Sequence, residues 1–209
     1  MLENIDNILQ DLFRLFRLLG IGALTSLKIF FLTLIFSMPL GLAVAFGRMS
    51  KNKLINSIVR FFILVMRGTP LILQIMFIYY APSFMLPEGM KINIDRFVAA
   101  IIAFSLNYSA YEAAAVLGFT KVQTFFKIIV PQVIKRILPS ISNEVITLVK
   151  DTALVTTLGI SELYRAAKNE AARVFSTVPL FVAGLFYLFM NSIVTKIFDK
   201  IEKKLSYYR

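Results

Sequence analysis

Two acidic residues, Glu144 and Asp151, lie within an apolar stretch of the chain and are the first candidates for a ligand site. They are seven residues apart with Thr147 between them, so a helix places all three on one face. An ionised carboxylate near the centre of a bilayer costs at least about 2.5 kcal/mol, even on insertion scales. The pair therefore predicts a polar cavity, a basic partner or a bound cation, and Glu144 is the preferred ligand group.

The alternative for both acids is a buried ion-pair network that serves structure alone. The cations available within apolar segments are Lys28, Arg60, Arg67 and Lys150. Asp151 directly follows Lys150 and is the better candidate for such a structural role.

A second candidate site is the segment Arg67-Gly68-Thr69-Pro70, which also lies within an apolar block. A guanidinium can hold a carboxylate through two parallel hydrogen bonds. Glycine and proline in mid-span loosen a helix and free backbone groups, which broken transporter helices offer to their ligands. The alternative is a kink braced by an ion pair between Arg67 and one of the two acids.

The elements that position these residues are membrane spans. The chain has 209 residues, of which 58% are hydrophobic, and its mean hydropathy is +0.75. Soluble domains are nearer 45–50% apolar. The chain has no His and no Cys, which excludes thiol catalysis, a Ser-His-Asp triad and His- or Cys-based metal sites. We expect no catalytic residue and no metal site.

The pattern predicts an all-α, polytopic membrane protein that forms a single domain over residues 1–209. An amphipathic helix is predicted along the membrane surface at residues 3–17. At about 20 residues per crossing, the apolar blocks predict five spans at about 18–46, 54–80, 97–111, 137–160 and 178–197. The third span carries Asn107 and Tyr108, which could line the same cavity as the acids. For Tyr108, packing or anchoring at the membrane interface is an equally good interpretation.

Lysine and arginine are distributed unevenly between the two sides of this predicted topology. One set of alternating loops holds twelve of them and the other holds seven. The richer side is expected to be cytoplasmic, which places the N-terminus outside and the C-terminus inside. Orientation in the membrane therefore explains the net charge of +11, and a nucleic-acid partner is not needed to explain it.

Residues 112–131 form a helix-prone, amphipathic segment between the third and fourth spans. Glu112 to Leu117 favour helix, Gly118 supplies a stop, and Pro131 interrupts the next periodic run. Such a segment is expected in water or on a partner rather than in lipid. The charge distribution places it in the cytoplasm.

Three motifs resemble the permease subunits of ABC importers, in the polar amino acid (His/Glu/Gln/Arg/opine) branch. The first is Glu-Ala-Ala, three residues, Gly, nine residues and Ile-x-Leu-Pro, which runs from Glu112 to Pro131 with Val130 at the Leu position. The second, Arg-Gly-Thr-Pro-Leu-x-x-Gln, occupies 67–74. The third, Asn-Glu-x-Ile-x-Leu-x-Lys-Asp-Thr-x-Leu-Val, occupies 143–155. The resemblance extends over about residues 20–200.

The resemblance implies a multi-pass subunit of the bacterial inner membrane that pairs with a second permease, either another copy of itself in a homodimer or a related subunit in a pseudo-dimer. Its partners would be two ATP-binding subunits and an extracytoplasmic amino acid-binding protein. The ATPase would contact the residues Glu112, Ala113, Ala114, Leu117 and Gly118. A substrate site near the midplane would include Arg67, Gly68, Thr69, Gln74, Asn107, Glu144 and Asp151.

The chain itself is not expected to be an enzyme. It has no Gly-rich phosphate-binding motif ending in Gly-Lys-Ser/Thr, so ATP and Mg²⁺ would be bound by the partner ATPase and this chain would hold no cofactor. The two acids favour a cationic amino acid. The alternative function is an ion-coupled carrier or channel, and a non-transporting scaffold is the least favoured.

One departure from the family is expected to matter. Family members usually carry about twenty more residues between the positions of Tyr111 and Glu112, and these complete a third span across a core of ~30 Å. From Asp95 to Glu112 the helix would be about 26 Å long. The junction at Tyr111–Glu112 therefore predicts either a short third span or a missing segment.

Overall fold

The computed structural model describes the backbone of residues 2–85, 87, 92–116 and 130–206, and side-chain surroundings for residues 9–85, 87, 92–111 and 138–204. The elements are α1 (Leu2–Arg48), α2 (Lys53–Gly68), α3 (Leu71–Phe84), α4 (Arg96–Val116), α5 (Val130–Asp151), a 3-10 helix (Thr152–Leu158), α6 (Leu163–Val174) and α7 (Val178–Ser206). No β-strand occurs among the described residues, so the predicted all-α class is confirmed for them.

The first helix differs from the prediction. We expected a surface helix at 3–17 followed by a span at 18–46, but α1 runs without a break for 47 residues. At 1.5 Å per residue it is about 70 Å long, more than twice the ~30 Å hydrocarbon core. The predicted boundary at residues 17–18 is therefore not a helix boundary in the structure, where Arg17, Leu18 and Gly20 all lie within α1. A Cβ on Gly22 would lie 2.8 Å from the Cα of Leu163, so this glycine serves close packing between α1 and α6.

The second predicted span, at about 54–80, is divided into two helices. α2 and α3 meet at an angle of 112°, with Thr69 and Pro70 between them in extended conformation. Proline cannot donate a backbone hydrogen bond and disfavours helical geometry at the residue before it. The loosening predicted at Gly68 and Pro70 is therefore a full break.

The helix that contains the third predicted span, α4, extends beyond the predicted end at residue 111. α4 continues to Val116, so residues 112–116 do not begin a separate helix as predicted. The run after Tyr111 contains only good helix formers and no glycine or proline. With 21 residues, α4 is about 32 Å long, which is sufficient for one crossing.

α4 also supplies the centre of the packed core. Ala99, Ala100, Ala103 and Phe104 are at most 1% exposed. The three alanines let α1 approach closely along this face. The core is completed by apolar residues of the other helices: Leu19, Ile29, Ile75, Leu148, Val155 and Leu163.

The fourth predicted span, at about 137–160, begins earlier and ends irregularly. α5 starts at Val130 and passes into the 3-10 helix at Thr152. This helix ends at Gly159, which adopts a left-handed conformation with φ 79°. α7 contains the fifth predicted span and continues through most of the basic tail.

Within the described residues, two helical segments are long and apolar enough to cross a membrane, Leu9–Arg48 and Val178–Lys204. The count becomes three if the bent pair α2–α3 is one span. The five-span count stays a prediction.

Candidate functional site

A cavity of about 530 Å³ lies where the α2–α3 break faces α4 and α5. Its volume falls within the range of small-molecule sites in proteins. Backbone breaks at membrane depth are tolerated where they line such a cavity. The lining residues are Arg67, Gly68, Thr69, Pro70, Leu71, Asn107, Tyr108, Tyr111, Glu144, Thr147 and Asp151.

The two acids and Thr147 reach the cavity from α5, as their spacing predicts. Glu144 is half-buried and lies about two helical turns from Asp151 on the same face. The hydroxyl of Tyr108 donates a hydrogen bond of 2.9 Å to Oδ2 of Asp151. Asp151 is thus held by a tyrosine of α4, whereas Glu144 has no hydrogen bond from another described side chain.

Arg67 reaches the same cavity from the last turn of α2. Its guanidinium carbon lies 5.2 Å from the centre of the Tyr111 ring, which is cation–π distance. Among the described residues, no carboxylate lies within 4.0 Å of it. The direct ion pair with Glu144 or Asp151 that we considered as an alternative is therefore not formed.

Gln74 braces the break instead of lining the cavity. Its Nε2 donates to the carbonyl oxygens of Met66 at 2.9 Å and Thr69 at 3.1 Å, and to Oγ1 of Thr69 at 2.8 Å. The first two acceptors are carbonyls at the end of α2, where the break leaves them without helical partners. Gln74 is the one predicted substrate-site residue that is not on the cavity wall.

Asn107 joins α4 to this brace while also lining the cavity. Its Nδ2 donates to the Met66 carbonyl at 3.0 Å and to Oε1 of Gln74 at 2.9 Å. Asn107 and Gln74 are 5% and 7% exposed. The chain Asn107–Gln74–Thr69 therefore fixes the angle between α2 and α3, and with it the position of Arg67.

Six of the seven predicted substrate-site residues line the cavity, and the sequence prediction lacked two contributors, Leu71 and Tyr111. Tyr111, which packs beside Arg67, was treated only as a boundary residue. Its spacing of three residues from Tyr108 and four from Asn107 places it on the same helical face, and this signal was present in the sequence.

The predicted ATPase-coupling residues fall at the limit of the described chain. Glu112, Ala113 and Ala114 belong to the last turns of α4, and their side-chain contacts are outside the described residues. Leu117 and Gly118 lie outside the described residues altogether.

A second acidic centre, Glu162, lies just beyond the fourth predicted span and is fully buried. It is the N-cap of α6, and its two oxygens accept from the backbone N–H groups of Tyr164 and Arg165 at 2.7 Å. Oε2 also accepts from the hydroxyls of Tyr187 at 3.0 Å and Ser26 at 3.4 Å. Burial raises the pKa of the Glu162 carboxyl, and these four hydrogen bonds oppose that rise.

Comparison with known proteins gives a consistent result. The sequence matches the family described as "Binding-protein-dependent transport system inner membrane component" over residues 37–207. It is 34% identical over 202 aligned positions to the arginine transport system permease protein ArtQ of Bacillus subtilis, with 88% of this chain and 90% of the relative covered. It is 35% identical over 195 positions to the octopine transport system permease protein OccM of Rhizobium radiobacter, with 80% and 79% covered.

A solved structure titled "Crystal structure of an amino acid ABC transporter with histidines" superposes with a TM-score of 0.79 at 29% identity. The match covers 93% of this chain and 97% of that one.

The alignments also bear on the predicted missing segment. The 202 positions aligned with the Bacillus permease cover 88% of 209 residues, about 184, so about 18 positions hold no residue of this chain. This shortfall has the size of the segment expected between Tyr111 and Glu112.

The family match extends over most of the chain, and the relatives and the superposed structure are all amino acid ABC transporter proteins by their descriptions. The resemblance predicted from the three motifs is therefore confirmed. The chain belongs to the inner membrane component family of binding-protein-dependent transport systems and is a permease of the amino acid ABC transporter type.

Proposed function

We propose that this chain forms the translocation path of an ATP-driven importer for a cationic amino acid, and that the cavity between α2, α4 and α5 holds the substrate. The observation that carries this proposal is the arrangement of charge. Arg67 on α2 and the acids Glu144 and Asp151 on α5 line one cavity without pairing with each other. Charges in apolar surroundings are costly unless a partner arrives, and a zwitterionic amino acid supplies both partners.

In this proposal the guanidinium of Arg67 binds the α-carboxylate of the substrate through two hydrogen bonds. Glu144 binds the cationic side chain, because it has no donor of its own among the described side chains. Asp151, which is held by Tyr108, supplies a second carboxylate to the cationic end of the substrate. Thr69 and the backbone at Gly68 complete the wall.

The descriptions of the relatives do not identify a single substrate. The Bacillus relative is described as an arginine permease, and another relative, from Rickettsia felis, is described as a putative glutamine permease with 32% identity. The choice of a cationic substrate therefore depends on the two carboxylates.

Energy would come from separate subunits, as the family implies. Two ATP-binding subunits, which hold ATP and Mg²⁺, would contact the cytoplasmic end of α4 and the segment that follows it. A second copy of this chain and an extracytoplasmic binding protein would complete the importer. ATP would bind the assembly more tightly in one cavity orientation than in the other, and this difference in affinity would drive the change. The N-terminus would lie outside and the C-terminus in the cytoplasm.

The experiment that tests this proposal is arginine uptake into proteoliposomes containing the permease, its ATPase subunit and the binding protein. Uptake is expected to require ATP on the ATPase side and to persist when ionophores collapse all ion gradients. Uptake that continues without ATP and stops with the ion gradient would overturn the proposal in favour of an ion-coupled carrier.

A thermal-shift screen of the purified complex against the twenty amino acids tests the substrate class separately. Arginine, lysine or histidine should raise the melting temperature most, because a ligand stabilises the state that it binds. Stabilisation only by neutral or acidic amino acids would contradict the cationic assignment.

A further inference from the structure

A second polar cavity, of about 320 Å³, lies where α1 ends and α2 begins. We call it the cationic pocket. No acidic side chain lines it, and the sequence has no Asp or Glu anywhere between Asp11 and Glu88. The lining residues are Ser50, Lys51, Lys53, Asn56, Ser57 and Arg60.

Two guanidinium groups converge on the amide of Asn56, which lines this pocket. Arg60 also lines the pocket, and Arg48 reaches the same amide from beside it. Oδ1 of Asn56 accepts from Nη1 of Arg48 at 3.2 Å and from Nε of Arg60 at 2.7 Å. The two donating nitrogens are thus at most about 5.9 Å apart, so the two positive charges repel each other. Among the described residues, neither arginine has a carboxylate within 4.0 Å.

Lys51 and Lys53 add two further exposed cations at the rim. The pocket also lies at the N-terminal end of α2, where the helix dipole is positive. Asn52 caps this end through 2.9 Å and 3.5 Å bonds from the N–H groups of Leu54 and Ile55, so the remaining donors are mainly side chains. Charge-assisted donors of this kind suit a phosphate oxygen.

The surface beside the pocket is apolar. None of the residues of α2 is fully buried, and one face carries an exposed row one turn apart, with Leu54 68%, Ile58 60%, Phe61 67% and Leu64 69% exposed. A basic pocket continuous with an apolar helix face matches a phospholipid, whose phosphate is joined to acyl chains. A free anion would use the pocket but leave the apolar row uncovered.

We propose that the cationic pocket binds the phosphate of an anionic phospholipid, whose acyl chains lie along the exposed row of α2. The lipid neutralises Arg48 and Arg60 together and holds the junction of α1 and α2 at the membrane surface. Arg67 lies in the last turn of α2, so the lipid is attached to the same helix that carries a wall of the substrate cavity. The assignment is independent of which amino acid the cavity holds.

The test uses the purified permease–ATPase complex and native mass spectrometry with added phosphatidylglycerol or phosphatidylcholine. The pocket variant carries Lys51→Gln, Lys53→Gln and Arg60→Gln. The control carries Lys196→Gln, Lys200→Gln and Lys204→Gln on the exposed end of α7, so both variants lose the same net charge. At about fivefold per cation near a membrane surface, the loss of three cations should weaken the binding of phosphatidylglycerol by about a hundredfold. The control, whose lysines lie outside the pocket, should change by less than about threefold.

Equal weakening in the two variants would overturn the proposal, because it would reflect net charge alone. Displacement of phosphatidylglycerol by millimolar inorganic phosphate would identify a free anion as the ligand and would overturn it too. So would unchanged lipid affinity combined with weaker binding of the ATPase subunit, which would assign the pocket to a protein partner. If the triple variant does not fold, Arg60→Gln alone is compared with Lys200→Gln, and a difference of about fivefold is expected.

Discussion

Glu162 and Glu144 are carboxylates of the same chain in opposite circumstances. Glu162 is 0% exposed and accepts from two backbone amides and two hydroxyls. Glu144 is half-buried beside a cavity and receives no hydrogen bond from a described side chain. Both acids lie at least partly buried, but only Glu162 has its hydrogen-bonding capacity filled by the fold.

The difference separates a structural acid from a binding one. Removing a fully satisfied acid leaves buried donors without acceptors, which lowers stability. Removing an acid that has no partner in the folded chain costs little stability, and its loss should be felt only when a ligand arrives. Asp151 is intermediate, since Tyr108 fills one of its oxygens.

The largest effect is expected at Arg67. Arg67→Gln should lower ATP-dependent uptake by about tenfold to a hundredfold, because a lost charged hydrogen bond is worth about 1.5–3 kcal/mol. Arg67→Lys should recover part of the activity, since it keeps the charge but not the paired geometry. The measurement is initial-rate uptake in proteoliposomes. Full activity of Arg67→Gln would remove this residue from the site.

Substitution of Glu162, unlike that of Arg67, should mainly lower the stability of the protein. Glu162→Ala leaves the amides of Tyr164 and Arg165 and the hydroxyl of Tyr187 without their acceptor, at a cost of about 2–4 kcal/mol. We expect the complex to melt several degrees lower, by fluorescence-monitored denaturation. Glu144→Ala is the matched control and should melt at the same temperature as the unsubstituted protein. If the two variants melt alike, the comparison between the two acids fails.

A smaller effect is expected at Glu170, which lies on α6 outside the predicted spans. Arg173 donates to both of its oxygens, at 2.9 Å and 2.6 Å, and these bonds lower the pKa of the Glu170 carboxyl. An acid whose pKa is lowered by folding contributes stability above its unfolded pKa and loses it as the pH falls through the folded value. Arg173→Gln should therefore reduce the melting temperature slightly at pH 7 and by a smaller amount at pH 3, where more of the Glu170 carboxyl is protonated. A reduction of the same size at both pH values would contradict this assignment.

Much of the cavity could be predicted from the sequence because its residues follow helical spacing. The spacing of Glu144, Thr147 and Asp151 places them on one face of a helix. The pair Gly68 and Pro70 predicts a broken helix. These are local rules, which need no knowledge of what packs against them.

The features that the sequence did not predict depend on tertiary contacts. Gly22 lies inside α1, and its role in close packing is set by the backbone of Leu163 far along the chain. The burial of Glu162 depends on α1 and α7, which supply the hydroxyls of Ser26 and Tyr187 that donate to its carboxylate. Gln74 belongs to a motif, but only the packing of α4 shows that Asn107 and the broken helix use its amide. Leu163, Ser26, Tyr187 and Asn107 are each at least 25 residues away in sequence from the residue that they explain.

The most direct test of the account is the substrate selectivity of Glu144→Gln. Because Glu144 is assigned to the cationic side chain of the substrate, the ratio of arginine to glutamine uptake should fall by about tenfold or more, while the melting temperature and the ATP requirement stay unchanged. The measurement is competitive uptake of the two labelled amino acids by the reconstituted complex. An unchanged ratio would show that Glu144 does not read substrate charge and would contradict the proposal for the cavity.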